Sequence, residues 1–294
     1  MPELPEVEQM VRALRRVVTG RTIVSSEIRL RKLTGETSPT TFNRAIKNAT
    51  ISGVSRRGKF ILIACQKPER KRGQRAKAGR TDEEDLVLAV HLRMTGKFLY
   101  LTPDDELPKH SHAVFYFDND RRLVFRDQRQ FGIMRLVPAS RLYETKGIRE
   151  LAPEPFSDEF SFDYLQQTLA RSRRSLKTLL LDQTKVLGLG NIYASEALFR
   201  AGVNPFKIAA TLSSKRIERL HLAIREVLSD ALSDGSALRV DLEHRDGFSY
   251  GEAFEDFWQV YDREGRPCMK CGAKIRRATH GGRSTYWCPR CQRR

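Results

Sequence analysis

Apolar positions near the start of the chain recur at helical spacing: Val7, Met10, Val11, Leu14, Val17 and Val18, with Gly20 closing the run. Pro5 suits an early helical position, and Glu6 and Glu8 place negative charge in the first turn. The pattern predicts one amphipathic helix that anchors the chain start against a core. From Thr22 to about Pro138 the period shortens. Ile28/Leu30, Phe60–Ile63, Leu86–Val90, Phe98–Leu101, His112–Phe117, Leu123–Phe125 and Ile133–Val137 are short apolar or alternating runs, and Asp118-Asn119-Asp120 looks like a hairpin turn. So many short strands predict a β-sandwich. Pro138 to Pro155 reads as a connector. Helical spacing then returns over Phe160–Ala170, Ser175–Leu181, Asn191–Ala201 and Ser213–Leu232, with Ser213 as an N-cap. The fold class expected is multi-domain α+β: an N-terminal β-sandwich with a leading helix, a C-terminal helical domain, and a terminal β-hairpin.

Two polar stretches interrupt the pattern. Gln66 to Asp85 is first basic and then acidic, and reads as a surface loop. Gly235 to Trp258 is irregular and carries Phe248, Tyr250, Phe254, Phe257 and Trp258, either closing over a substrate or padding the interior.

Composition narrows the partners. Lys+Arg of 53 against Asp+Glu of 36 gives +17 and a pI near 10.0, which suits a polyanion, nucleic acid before a membrane surface. No apolar run approaches the ~18 residues of a membrane span, and no export signal opens the chain. Four of the five cysteines form Cys268-x2-Cys271 and Cys288-x2-Cys291, separated by sixteen residues, the spacing of a Zn²⁺ tetrathiolate. Ile275–Thr279 and Ser284–Trp287 read as two strands between them, joined by His280-Gly281-Gly282-Arg283. One structural zinc is expected, because all four positions are filled. Lone Cys65 reads as a small buried hydrophobe, and His91 as a core histidine.

Candidate chemistry begins at the first residues. Once Met1 is removed, Pro2 presents a secondary amine. An α-amino group titrates near pH 8, about two units below lysine, and its unprotonated form attacks carbonyl-like carbon to give a Schiff base. Glu3 beside it supplies a carboxyl group for acid–base work. A plain Pro/Glu-rich helix start is the other reading of these residues. Arg56-Arg57-Gly58-Lys59 precedes a strand and offers a lysine to a phosphate or simply a solvated turn. Asp127-Gln128-Arg129-Gln130-Phe131-Gly132 puts an arginine and a ring beside a glycine; such a loop can enter a base stack, although Phe131 taken alone reads as core. Gly188-Leu189-Gly190 opens a helix, so its backbone N–H groups form a natural phosphate seat, or only a turn.

These motifs together resemble one family. Pro2-Glu3-Leu4-Pro5-Glu6-Val7-Glu8 is similar to the start of bacterial formamidopyrimidine-DNA glycosylases. Leu181-Asp182-Gln183 and Gly188 through Phe199 are similar to their helix–two-turn–helix signature, and Gly282 through Gln292 resembles their terminal zinc finger. The resemblance runs along the whole chain. It implies a cytoplasmic, monomeric base-excision-repair enzyme acting on double-stranded DNA that contains oxidised bases or abasic sites. It would excise 8-oxoguanine and formamidopyrimidines through a Schiff base on Pro2 and cut the strand by β,δ-elimination. The resemblance further implies that Pro2, Glu3 and Lys59 are catalytic, with Glu6 supporting the active-site mouth. His110, Arg129, Asn191 and Arg283 would hold DNA; Met94, Arg129 and Phe131 would fill the space left by an everted base. Cys268, Cys271, Cys288 and Cys291 would hold the zinc. The implied domains are a catalytic β-sandwich over 1–138, a linker over 139–155, a helix–two-turn–helix DNA-binding domain over 156–235, a lesion-capping region over 236–259 and the zinc finger over 260–294. This chain departs from the family pattern in Gln130, where a second basic residue is common, in Arg93, where a glycine is usual, and in the 66–85 insertion. A zinc-stabilised, non-catalytic reader of damaged DNA is the rival from another class. Such a reader has no use for a processed N-terminal proline.

Overall fold

The computed structural model describes residues 2–68, 84–233, 240–243 and 258–293. The central part of the 66–85 insertion, and Phe248, Tyr250, Phe254 and Phe257, lie outside the described residues. The chain forms two compact units: one comprises Met1–Pro2, Glu6–Arg149 and Arg239–Tyr250, the other Glu3–Pro5, Glu150–Leu238 and Gly251–Arg294.

The first unit is built on α1 (Leu4–Val18) and two four-stranded antiparallel sheets. One sheet runs β1 (Ile23–Ile28), β6 (Ser111–Phe117), β7 (Arg122–Asp127), β5 (Gly96–Leu101); the other runs β2 (Thr50–Arg57), β3 (Phe60–Gln66), β4 (Leu86–His91), β8 (Ile133–Pro138). Alternate side chains of both sheets meet in one core: Val54, Ile61, Ile63 and Val90 from one, Phe98, Phe115 and Phe125 from the other. Val7, Met10, Val11, Leu14 and Val18 of α1 join it. Each such side chain contributes about 1.5–3 kcal/mol on leaving water, which is why the apolar stripe holds the helix in place. All six residues of β4 are buried, because its second face packs Val87 and Ala89 against Leu142 and Ile148. That explains its unbroken apolar run. Cys65 is buried as expected.

The strand region also holds a helix that its alternation conceals. In α2 (Pro39–Ile46), Ser38 Oγ accepts the Thr41 N–H at 3.1 Å and Pro39 occupies the first turn, so capping prevails over the β-branched Thr40 and Thr41. Farther along the chain, Val240 and Leu242 bury themselves in this same core, and the Leu242 carbonyl accepts the Tyr100 N–H at 2.7 Å on the outer edge of β5.

The second unit contains α3 (Phe162–Ala170), α4 (Leu176–Leu180), α5 (Asn191–Arg200) and α6 (Ser214–Leu232), followed by the hairpin β9 (Arg276–His280) and β10 (Arg283–Trp287). Ser161 and Ser175 cap α3 and α4 with their hydroxyls. Ser213 stands at the N-cap of α6 but makes no side-chain capping bond. The apolar stripe Ile217, Leu220, Ile224, Val227, Leu228 and Ala231 of α6 is buried, and α5 is buried continuously from Tyr193 to Phe199. Gly281 (φ 57°) and Gly282 (φ 74°) form the two-residue turn between His280 and Arg283. Both central residues of such a turn need positive φ, so the glycine pair sets the hairpin register.

Candidate catalytic and nucleic-acid site

The second unit fixes Glu3. Its carboxylate, 2% exposed, sits on the N-terminus of α5 and accepts the backbone N–H groups of Gly190 (2.6 Å), Ile192 (2.9 Å) and Tyr193 (3.3 Å). The Leu4 N–H donates to the Gly188 carbonyl at 3.1 Å. Both glycines are required by this arrangement. A Cβ on Gly190 would lie 2.3 Å from the Glu3 carboxyl carbon, and one on Gly188, whose φ is 87°, would lie 2.4 Å from Leu4. The expected phosphate seat is therefore corrected: the positive end of α5 holds an anion from within the chain, for the same reason it would hold a phosphate. Pro2, itself buried, is one peptide bond from this seat. A chain end, ordinarily mobile, is thereby held.

Asn191, the first residue of α5, has a buried Oδ1 with no hydrogen-bond partner among the described residues. Its amide bonds the Tyr261 phenol, whose pKa is pushed up by burial and held back by that bond. Two charged residues here escape sequence reading. Lys177 on α4 is 1% exposed, and its Nζ donates to Ser195 Oγ (3.1 Å) and the Ser284 carbonyl (2.9 Å). Burial lowers its pKa to about 8, the Glu3 charge draws it back up, and Arg283 lowers it further. Glu196 of α5 is buried and accepts the N–H groups of Gln259 (2.9 Å), Val260 (3.0 Å) and Tyr261 (2.8 Å). Burial raises its pKa against those three donors. A lysine or glutamate in a helix reads as solvated face, and no pattern in the sequence marks either as interior. Trp258 is buried edge-on to Tyr193 at 5.4 Å, so it pads rather than closes.

The four cysteines converge. Their Sγ atoms lie within 4.8 Å of one another, with Cys271–Cys288 at 3.4 Å and Cys268–Cys291 at 3.9 Å. A tetrahedral ion with Zn–S of ~2.3 Å places sulfurs about 3.8 Å apart, so the set fits one structural zinc with no open position. Gln292 secures the module: its side chain accepts the Cys288 N–H (2.9 Å) and donates to the Val203 carbonyl (2.9 Å). Arg283 stands exposed at the start of β10.

The first unit carries the other candidates. Lys59 lies in the Gly58-Lys59 turn between β2 and β3 and is buried, as is Glu6 in the first turn of α1. His110 is half-buried in a left-handed conformation (φ 68°), and its carbonyl accepts the Asp127 N–H at 3.1 Å. Arg93 (φ 55°) and Gln130 (φ 56°) are also left-handed, so Arg93 occupies a backbone conformation that glycine adopts without strain. Met94 is 37% exposed and Phe131 50% exposed, with the Arg129 guanidinium 4.9 Å from the Phe131 ring centroid. Phe131 is not core. His91 is buried, its Nδ1 accepting the Arg93 N–H at 3.0 Å; burial first, then Arg93 and Lys59, lowers its pKa to about 3.

Three family models match along the chain. Residues 1–134 match the formamidopyrimidine-DNA glycosylase N-terminal domain, 151–241 its H2TH domain, and 265–294 the zinc finger found in FPG and IleRS. The chain belongs to the formamidopyrimidine-DNA glycosylase family. It is 41% identical over 294 residues to the formamidopyrimidine-DNA glycosylase of Pelotomaculum thermopropionicum, covering 100% of this chain and 99% of that one. Identity to the Bacillus licheniformis formamidopyrimidine-DNA glycosylase is 40% over 299 residues, covering both in full. Among solved structures it is similar to a Lactococcus lactis FPG mutant in complex with Fapy-dG-containing DNA (TM-score 0.86, 31% identity, both chains covered in full). It is also similar to the same organism's enzyme bound non-covalently to DNA containing an AP site (TM-score 0.84, 31% identity, 99% and 100% covered). Formamidopyrimidine-DNA glycosylases are enzymes, and the fold above is theirs: antiparallel sheets with a leading helix, a helical H2TH domain and a zinc-finger hairpin. Among the described residues no helix is long and apolar enough to cross a membrane.

Proposed function

We propose that this chain excises oxidised purines, 8-oxoguanine and formamidopyrimidines, from duplex DNA and then cleaves the strand. The observation that carries the reading is the Glu3 carboxylate seated on three backbone N–H groups at α5, one peptide bond from Pro2. With Met1 removed, the Pro2 nitrogen bonds C1′ of the damaged nucleotide as the glycosidic bond breaks, its electron pair leaving with the base. Glu3 delivers a proton to the ring oxygen as the sugar opens to an iminium. Loss of the C2′ proton expels the 3′ phosphate, and a second elimination expels the 5′ phosphate, leaving a one-nucleotide gap. Lys59 assists catalysis and Glu6 supports the mouth of the site. His110, Arg129, Asn191 and Arg283 hold the DNA beside the lesion; the Asn191 Oδ1, without a partner among the described residues, and the exposed Arg283 suit that role. Met94, Arg129 and Phe131 fill the vacated stack, with Arg129 facing the orphan cytosine; two exposed apolar side chains and a guanidinium on ring suit it too. The zinc holds the hairpin that presents Arg283. The enzyme acts as a cytoplasmic monomer on double-stranded DNA.

Pro2→Gly tests the reading. Strand cleavage of an 8-oxoguanine duplex should fall far more than duplex affinity in a gel-shift titration. Equal loss of both counts against a nucleophilic Pro2.

A further inference from the structure

Met94 sits between β4 and β5, while Arg129 and Phe131 sit between β7 and β8. Nothing in the sequence links these two loops, yet one buried carboxylate ties them. Asp127, 1% exposed, accepts the Thr95 hydroxyl on Oδ1 and the Gly132 N–H on Oδ2 at 2.7 Å. The Thr95 hydroxyl in turn accepts the Arg129 N–H at 3.0 Å. A hydroxyl donates once and accepts besides, so the chain Arg129 N–H to Thr95 Oγ1 to Asp127 runs in one consistent direction.

The same turn is closed on its other sides. The Asp127 carbonyl accepts from Gln130 N–H (3.2 Å) and bonds His112 Nε2 (2.9 Å), and the Gly96 N–H reaches the Leu92 carbonyl (3.0 Å). Both loops end on the buried Phe125 ring. A Cβ on Gly96 would approach its Cζ to 2.9 Å and one on Gly132 to 2.6 Å, so neither position takes a side chain without displacing that ring. The residues next to Met94 and to Phe131, Thr95 and Gly132, are thus fixed to a common carboxylate.

We propose that Thr95 and Asp127 are positioning residues that couple the two stack-filling loops, so that Met94, Arg129 and Phe131 enter the duplex as one unit and Arg129 reads the base opposite the lesion. The inference rests on the stack-filling role given to those three residues above. Asp127 is buried, so any effect it has on a bound duplex passes through the loops it holds. Thr95 and Asp127 act through backbone position: a carboxylate offers acceptors on both oxygens, whereas an amide offers one acceptor and one donor, so Asp127→Asn can keep Gly132 only by turning its NH2 onto Thr95, whose hydroxyl proton then loses its acceptor.

The test compares Thr95→Val, Thr95→Ser and Asp127→Asn with the unaltered enzyme on three duplexes: 8-oxoguanine opposite cytosine, 8-oxoguanine opposite adenine, and a preformed abasic site. Thr95→Val keeps the shape and removes the hydroxyl; Thr95→Ser keeps the hydroxyl. Loss of loop registry should lower single-turnover excision opposite cytosine by about 10–100-fold, the scale of misplacement by 1 Å. It should also reduce the preference for cytosine over adenine, leave cleavage of the preformed abasic site much less affected, and be rescued by serine. If Thr95→Val and Asp127→Asn lose all three activities in parallel, or leave the cytosine preference intact, the coupling is refuted. Thermal melts separate unfolding from these outcomes: if Asp127→Asn does not fold, the Val/Ser comparison decides, and if Thr95→Val does not fold, Asp127→Asn against Thr95→Ser decides. Met94→Ala and Phe131→Ala test the parent reading separately. If they excise normally, stack filling fails whatever Thr95 does; if they fail while Thr95→Val is normal, only the coupling fails.

Discussion

Two buried glutamates of the second unit do the same job in opposite directions. Glu3 comes from the chain start and is received by the N-terminus of α5, through Gly190, Ile192 and Tyr193. Glu196 belongs to α5 and reaches outward to receive Gln259, Val260 and Tyr261. Each gathers three backbone N–H groups on one carboxylate. The donors of Glu3 are helix-end groups that would lack partners in any helix, so the seat exists before the glutamate arrives. Those of Glu196 belong to an irregular segment, whose Val260 and Tyr261 also pack beside Phe199 and Tyr286. α5 is thus a hub that fixes the chain start by its end and the Tyr261 segment by its side. The lesson is that one helix can hold two distant pieces of chain, provided its interior tolerates a charge that is hydrogen-bonded in full.

Ways to break this arrangement differ in size. Zinc removal should be the most severe, because a tetrathiolate hairpin has little core of its own: chelation is expected to abolish duplex binding in a filter or gel-shift assay, with zinc restoring it. Full binding by metal-free protein would contradict a structural zinc. Next is Gly190→Ala. Its Cβ, 2.3 Å from the Glu3 carboxyl carbon, must expel Glu3 from α5. Base excision should fall by about 10²-fold or more, as for other small misplacements of a catalytic group, while the melting temperature changes modestly. Glu196→Gln should cost about 1–3 kcal/mol in urea unfolding, since an amide oxygen cannot receive all three donors; it should spare Glu3, and its effect on excision should be smaller than that of Gly190→Ala.

His91 extends the comparison to the first unit, where the acceptor of a backbone N–H is an imidazole. Its folded pKa of about 3 lies below the ordinary 6.5, so between these values the unfolded chain binds the extra proton. Stability should therefore fall as pH drops from 6.5 toward 3, by up to about 1.4 kcal/mol per pH unit from this group. His91→Gln should remove that part of the acid slope in unfolding titrations; an unchanged slope would mean that His91 is not held neutral.

Much of this was legible in the chain. The heptad-like stripe of α1, the apolar runs of the sheets and the paired C-x2-C spacing announce themselves because burial and metal geometry impose periods that residues must follow. What escaped was set by tertiary context. α2 hides because eight residues containing Thr40 and Thr41 look extended, and its real signal is Ser38-Pro39 at the cap. Gly188-Leu189-Gly190 is legible as an anion seat, but the sequence does not say that the anion is Glu3, 187 positions away from Gly190. Lys177 and Glu196 look like surface residues, since a buried charge is distinguished only by partners the fold brings in. Phe131 shows the converse: its apolar ring suggests core, yet the Asp127 turn leaves it exposed.

The central claim is that the seat on α5 presents the Pro2 amine as the nucleophile. Borohydride trapping on a duplex with one 8-oxoguanine opposite cytosine, followed by peptide mapping, tests it most directly. The account predicts a covalent adduct on Pro2 in protein that has lost Met1. An adduct on a lysine instead, or none despite tight binding by protein shown to lack Met1, would contradict it.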